Sequence, residues 1–327
     1  MLGPLLEALA PRNRILLTGP VGPDGDSIGA CLALQRLLHR RGAKADVVGT
    51  LPVRYQWLPG GDAVIADAGL DPAVYDAVVV LDGDRHRLTP PAAAAFAGAA
   101  FKALVDHHAS STAEGYDLAW LQADAASTTE MLFNALRAAN EPLDRELAIL
   151  LYTGVIFDTG GFCYSNARPS TLRMAADLMD TGFDHAQVCL RILMERRPSG
   201  LRLAGAVYSE ARFVAGGRLA IGRVSHARAR ELGVADGDVE GVVDGLVHTR
   251  GVEIAALVVE KSDGRVKVSL RGRGRINLVE LARTLSPTGG GHVKAAGASV
   301  PGTLDEVEAA VESAAIAALR TARLIVT

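Results

Sequence analysis

Short apolar runs alternate with longer amphipathic stretches through the first half of the chain. Residues 14–18 (RILLT) read as a strand. Ile28, Leu32, Leu34, Leu37 and Leu38 then recur at roughly helical spacing, from about Ser27 up to Gly42, a natural C-cap. Residues 45–48 predict a second short strand. The unbroken apolar run 77–81 (AVVVL) has the pattern of a strand buried on both faces, and 103–105 predicts another. The alternation points to an α/β domain with a mainly parallel sheet. From 123 to about 179 the pattern turns mostly helical. The run 147–157 (LAILLYTGVIF) suits a buried helix or a strand, of which the helix is expected. The alanine-biased stretch 92–100 predicts a surface helix.

The charged segment ERRPSG at 195–200 carries Pro and Gly and reads as a linker. It implies a first domain over 1–190, a linker over 191–210 and a smaller α/β domain over 211–327. Strands are expected at 219–224, 254–259 and 266–270, followed by a helix at 278–285, a glycine-rich loop and a closing helix at 304–322. Two domains also suit 327 residues, since single cores usually stop growing at about 250–300 residues.

Composition narrows the function. With 49% hydrophobic and 22% charged residues, the chain has an ordinary globular make-up. No apolar run reaches the ~18 residues of a membrane span, and the start lacks the features of a secretory signal. Cys31, Cys163 and Cys189 form no CxxC pair, which fits reduced thiols in a cytoplasmic protein. A net charge of −3 argues against coating long nucleic acid, and 5% aromatics leave little for a base-stacking platform. A nucleic-acid substrate, if there is one, is therefore short.

Four segments place metal-competent side chains beside an apolar run or turn: Asp24 with Asp26, Asp82 with Asp84, Asp106 with His107 and His108, and Asp158 before Thr159-Gly160. Ligands of open parallel sheets collect beyond the carboxyl ends of the strands, so these residues can converge although distant in sequence. Carboxylates with imidazole suit Mn²⁺, Mg²⁺ or Fe²⁺ better than a structural zinc. Each segment also has a plainer explanation. Pro-Asp-Gly is a common turn, and an aspartate after a strand often caps the next helix. Adjacent histidines in a loop are usually solvated. Four such segments in order, within one α/β domain, are harder to explain as caps and turns.

The second half adds GGGHVKAAG at 289–297, preceded by SLRGRGR at 269–275. Glycines such as Gly290 and Gly291 let backbone N–H groups approach an anion, His292 can donate to a phosphate oxygen, and Arg271 can make a bidentate phosphate contact. The alternative is a flexible turn beside a solvated basic stretch.

These motifs resemble the DHH phosphoesterases that carry a C-terminal GGGH domain, over nearly the whole chain. Asp106-His107-His108 matches the signature, Gly289-Gly290-Gly291-His292 with Ala295-Ala296-Gly297 the C-terminal hallmark. Asp24-Gly25-Asp26-Ser27, Asp82 and Asp158-Thr159-Gly160-x-Phe162 match the other motifs in order. Length and Ser127-Thr128-x-Glu130 look most like the nanoRNase branch, the bifunctional oligoribonucleases and 3′-phosphoadenosine-5′-phosphate (PAP) phosphatases. Some members of that branch cleave linear dinucleotides such as pApA, or cyclic dinucleotides.

By resemblance, Asp82 would bridge two Mn²⁺ ions, and Asp26, His107 and Asp158 would complete the ligands of one. Asp24 would bind the other, with a histidine that opens the first motif. His108 would orient or protonate the phosphate and leaving group. Arg271 and His292 would hold the far end of the substrate in an interdomain cleft, with Arg87 as a further phosphate contact, and a homodimer would be unsurprising. Here the opening histidine is replaced by Pro20, which offers no ligand. Water, His86 or nothing would take its place. The last case would leave a nucleotide-binding protein with a degenerate site.

Overall fold

A computed structural model describes residues 1–235 and 237–325. The chain divides into two compact units, Met1–Glu195 and Arg196–Thr327.

The first unit holds α1 (Leu2–Leu9), β1 (Ile15–Thr18), α2 (Gly25–Arg40), β2 (Ala45–Val48), β3 (Ala77–Leu81), α3 (Pro90–Gly98), β4 (Phe101–Asp106) and β5 (Leu118–Leu121). It continues with α4 (Thr128–Ala138), α5 (Arg145–Asp158), α6 (Pro169–Met179) and α7 (His185–Cys189). Its five strands pair in parallel in the order β2-β1-β3-β4-β5. The chain leaves β1 toward β2 and returns on the other side as β3, so the strand order reverses between β1 and β3. A crevice opens beyond the carboxyl ends at such a point.

Both faces of this sheet are covered, which is why 77–81 is apolar without alternation. Ile15, Leu17, Val79 and Leu81 pack with α2, α4 and α5, while Leu16, Val78, Val80 and Leu104 pack with α3. The stretch expected as a surface helix is α3, and it buries Ala92, Ala95 and Phe96. Residues 147–157 lie in helix α5 and are mostly buried. Gly29 lets α2 and α5 approach closely: a Cβ there would stand 2.6 Å from the Leu150 carbonyl oxygen.

The second unit holds α8 (Pro198–Ser209), β6 (Arg212–Val214), β7 (Leu219–Val224), α9 (His226–Glu231), α10 (Val242–Val247), β8 (Ile254–Glu260) and β9 (Arg265–Gly272). It ends with α11 (Leu278–Leu285), β10 (Gly290–His292), β11 (Ala295–Pro301) and α12 (Leu304–Thr321). The sheet order is β10-β11-β9-β8-β7-β6, parallel only between β7 and β8. One face packs against α11 and α12, the other against α8 and α10.

Two stretches differ from the sequence expectation. Most of 191–210 is helical: a π-helical segment over Leu190–Met194 ends the first unit, and α8 begins the second. Pro198 opens α8 at a position where a missing N–H is harmless, so ERRPSG marks a helix start as much as a junction. The expected glycine-rich loop is the hairpin β10–β11. Among the described residues, no helix is long and apolar enough to cross a membrane.

Candidate metal centre

Helix α2 begins right after the first aspartate pair. Asp24 is its N-cap, with Oδ1 accepting from the backbone N–H of Asp26 (3.0 Å) and Ser27 (3.1 Å). Capping and a second role are compatible, since one carboxylate oxygen does the capping. Asp26 is fully buried and turns toward the start of α4. Its Oδ2 accepts from Thr128 N (2.6 Å), and its Oδ1 from Thr129 N (3.0 Å) and Thr129 Oγ1 (2.7 Å). Ser127 caps α4 through Glu130 N, and the Glu130 carboxylate is engaged by Ala126 N and Thr171 Oγ1.

Beyond β3, the backbone of Asp82 takes a left-handed φ of 57°, a conformation uncommon outside glycine that aspartate tolerates better than most residues. Its N–H donates to the Val105 carbonyl, and its Oδ1 accepts from Thr128 Oγ1 at 3.2 Å. The loop after β4 supplies both histidines. His107 has Nδ1 3.2 Å from the Ala125 carbonyl oxygen. A carbonyl can only accept, so Nδ1 carries the proton and Nε2 is the ligating nitrogen of the neutral ring. That Nε2 lies 3.1 Å from Asp158 Oδ2 and 3.5 Å from Asp82 Oδ1. His108 Nδ1 donates to Asp106 Oδ1 at 2.7 Å, and Asp106 also accepts from His108 N and Ser111 Oγ.

One ligand atom each from Asp26, Asp82, His107 and Asp158 falls within a 4.8 Å span, and a second such set is Asp82, His107 and His108. These residues come from the ends of α2's first turn, β3, β4 and α5. Burial, together with the charges of Asp26, Asp24 and Asp158, holds the Asp82 carboxyl well above the ordinary range. Burial and Asp26 raise Asp24, and burial with Asp26 lifts Asp158 to about 7 despite its bond to His107. Burial alone would lower His107; the Asp158 hydrogen bond and charge, with Asp26, overcome it and raise the imidazole to about 10. So much buried negative charge in one place calls for a cation, and oxygens with one imidazole are hard-metal donors. The residues fit a divalent ion.

A pH dependence follows. Asp24, Asp82, Asp158 and His107 all bind protons more readily folded than unfolded, so metal-free stability falls as pH rises. The loss starts near the unfolded carboxylate value of about 3.9 and continues through about 7 for Asp158 and about 10 for His107. Asp106, whose carboxyl is lowered by His108 and Ser111 against the effect of burial, acts only in more acid solution. Each proton difference is worth about 1.4 kcal/mol per pH unit. Thermal scans of chelated protein should show Tm falling from pH 5 to 9, with a divalent cation raising Tm more at pH 8 than at pH 6. A flat or rising Tm contradicts this electrostatic picture.

The other expected residues stand apart. Asp24 belongs to neither close set, although its charge reaches Asp82 and Asp158. Pro20 is buried, and a Cβ on Gly83 would meet its ring at 3.0 Å. The His86 side chain is 77% exposed, with Nε2 3.8 Å from Asp84 Oδ1. Arg87 is exposed, while its carbonyl accepts from Val21 N and ties the β3 loop to the turn before α2.

In the second unit the strand register aligns Arg271 with Ala295 and Ala295 with His292, so all three share one face of the sheet. Arg271 Nε donates to Asp244 Oδ1 (2.9 Å) and Nη1 to the Leu270 carbonyl. Gly289 and Gly291 are demanded by packing, since Cβ atoms there would collide with Ala282 and with Ala295 and Ala296. Gly290 alone of the three has open space around it.

Sequence reasoning did not assign roles to Thr128, Thr129, Asp106 or Asp244. The Ser127-x-x-Glu130 capping pattern was the available signal for the first two, because it locates a helix start.

Residues 14–155 match the DHH family, N-terminal domain, and residues 216–319 match the DHHA1 domain. A bifunctional oligoribonuclease and PAP phosphatase NrnA from Thermus thermophilus is 31% identical over 90% of this chain and 86% of its own. The chain belongs to the DHH family. The Bacillus subtilis protein of the same name is 25% identical over 90% of this DHH chain and 92% of its own. The crystal structure of an exopolyphosphatase-related protein from Bacteroides fragilis shares the fold, with a TM-score of 0.89, 23% identity and coverage of 98% and 97%. The signature that names the DHH family is the 106–108 segment, two of whose side chains contribute to the close sets.

Proposed function

We propose that this chain hydrolyses the phosphoester bonds of short 5′-phosphorylated oligonucleotides or dinucleotides, linear or cyclic, and of PAP, with Mn²⁺ as the working cation. The hydrolase class rests on membership of the DHH family and on NrnA-named relatives matched over about 90% of the chain. The observation that carries the reading is the convergence of Asp26, Asp82, His107 and Asp158 within 4.8 Å. Divalent cations held there supply Lewis acidity toward phosphoryl oxygens and activate water for in-line attack.

The protein residues divide the remaining work. Asp26, Asp82, His107 and Asp158 would hold one ion, and Asp24 with Asp82 would hold a second. Asp106 accepts from the His108 Nδ1–H and stabilises the imidazolium form of that ring, whose Nε2–H is the proton given to the leaving 3′-oxygen. In the second unit Arg271, steadied by Asp244, and His292 bind a substrate phosphate, with the Gly290 backbone beside them. Arg87 is an exposed cation available to a further phosphate. Release of mononucleotide from pApA and of phosphate from PAP, dependent on Mn²⁺ and abolished by chelator, tests the proposal. Absence of both reactions across Mn²⁺, Mg²⁺ and Fe²⁺ overturns it.

Pro20 gives a second reading its footing, because the ion beside Asp24 lacks an imidazole from that position. A nucleotide-binding protein with a weakened cation site would bind pApA without releasing products. Pro20→His separates the two. Under the hydrolase proposal it tightens the weaker cation site about tenfold and raises a turnover already present. Under the binding reading turnover appears only in the variant.

A further inference from the structure

The first turn of α4 touches both buried carboxylates of the candidate centre through a single residue. Thr128 is fully buried. Its backbone N–H donates to Asp26 Oδ2 at 2.6 Å, and its Oγ1 donates to Asp82 Oδ1 at 3.2 Å. Asp26 lies in the first turn of α2 and Asp82 at the end of β3, so Thr128 joins two elements that are remote in sequence.

The need for such a tie is physical. Asp82 stands beside the like charges of Asp26, Asp24 and Asp158, and their repulsion favours its carboxylate swinging away. A hydroxyl donor is the kind of group that holds a ligating carboxylate in one orientation. Helix α4 is itself anchored, with Ser127 as N-cap and Glu130 held by Ala126 N and Thr171 Oγ1. The Thr128 hydroxyl is therefore presented from a rigid base.

We infer that Thr128 is a positioning residue that sets the relative placement of the Asp26 and Asp82 carboxylates and thereby the affinity of the centre for its divalent cation. The inference rests on the cation-binding reading above. It concerns neither substrate nor catalysis directly, so binding of the metal alone can test it.

Thr128→Val keeps the backbone N–H and the side-chain shape and removes the hydroxyl. Titration calorimetry of chelator-treated full-length protein with MnCl₂ should show a Kd about 10–100-fold weaker than wild type. Thr128→Ser, which restores the hydroxyl, should return to within about threefold of wild type. If Thr128→Val folds poorly, Thr128→Ser against Thr128→Ala supplies the comparison, because the two differ by one oxygen and leave the same methyl-sized gap. The hydroxyl-bearing variant should bind Mn²⁺ more tightly by the same factor, and the Mn²⁺ electron paramagnetic resonance spectrum should match wild type only in the serine protein. Wild-type affinity in Thr128→Val, or equal affinity in the serine and alanine variants, overturns the positioning role. A wild-type chain that binds no Mn²⁺ overturns the cation-binding reading itself, and this inference with it.

Discussion

Asp82→Asn should lower kcat on pApA by about 10³-fold or more, which corresponds to roughly 4 kcal/mol of transition-state stabilisation. Asp82 is the one carboxylate common to both close sets of donors, which also share His107, and asparagine preserves its shape while removing the charge. The amide carries no negative charge to hold a cation, and its NH₂ group would point a donor where a lone pair is needed. The same substitution should stabilise the metal-free protein. Asp82 is held well above the usual carboxylate range by burial and by Asp26, Asp24 and Asp158, so at pH 8 its ionised form strains the apo fold. Loss of activity combined with a higher apo Tm at pH 8 is a signature that simple misfolding cannot produce. A kcat within tenfold of wild type, or a lower apo Tm, would remove Asp82 from the centre of the mechanism.

The parts of the fold that were legible in the sequence are those where burial is simple. The 77–81 run is apolar throughout because α3 covers one face of β3 and α2 the other. Residues 147–157 are too long for a typical strand, and the helix they form is buried along most of its length. Strand β5 carries no comparable signal: it lies at the sheet edge, and of its four residues only Trp120 is buried. The β10–β11 hairpin is rich in glycine and alanine, residues poor in strand propensity, so it reads as a loop until α11 and β9 are in place against it.

The candidate centre divides in the same way. Carboxylates that follow β1 and β3 are brought together because those strands are neighbours and their order reverses there, and the loop after β4 lies one strand further along. Such convergence can be anticipated from a strand–helix alternation. What fixes each side chain cannot, because it depends on α4 meeting α2 and β3 end-on. Nothing in the spacing of Thr128 and Thr129 says that their amides face Asp26, or that the Ala125 carbonyl selects the tautomer of His107. The replacement at Pro20 is visible in the sequence, but its packing against Gly83 is not.

Gly154→Ala tests that tertiary layer in one methyl group. Glycine within a helix is worse than alanine by roughly 1 kcal/mol, so on local grounds the substitution should stabilise α5. The surroundings reverse the sign. A Cβ on Gly154 would come closer than 3.0 Å to Asp26 Oδ1, Thr129 Oγ1 and Thr129 Cγ2, and Gly154, Asp26 and Thr129 are all buried. Overpacking typically costs about 1–3 kcal/mol, and disturbing a hydrogen bond to a charged carboxylate about 1.5–3 kcal/mol. Set against the helix gain, the net is a destabilisation of roughly 1.5–5 kcal/mol, or a Tm drop of about 3–20 °C for a unit of this size. Mn²⁺ affinity should fall with it, since the displaced atom belongs to a proposed ligand. Gly205→Ala in α8 is the matched control: among the described residues, no atom outside its own stretch of helix backbone lies within 4 Å of its Cβ position, so the propensity gain should survive and Tm should hold or rise slightly. If Gly154→Ala instead behaves like Gly205→Ala in both Tm and Mn²⁺ affinity, the contact between α5, Thr129 and Asp26 has slack, and the tight geometry assigned to the centre is wrong.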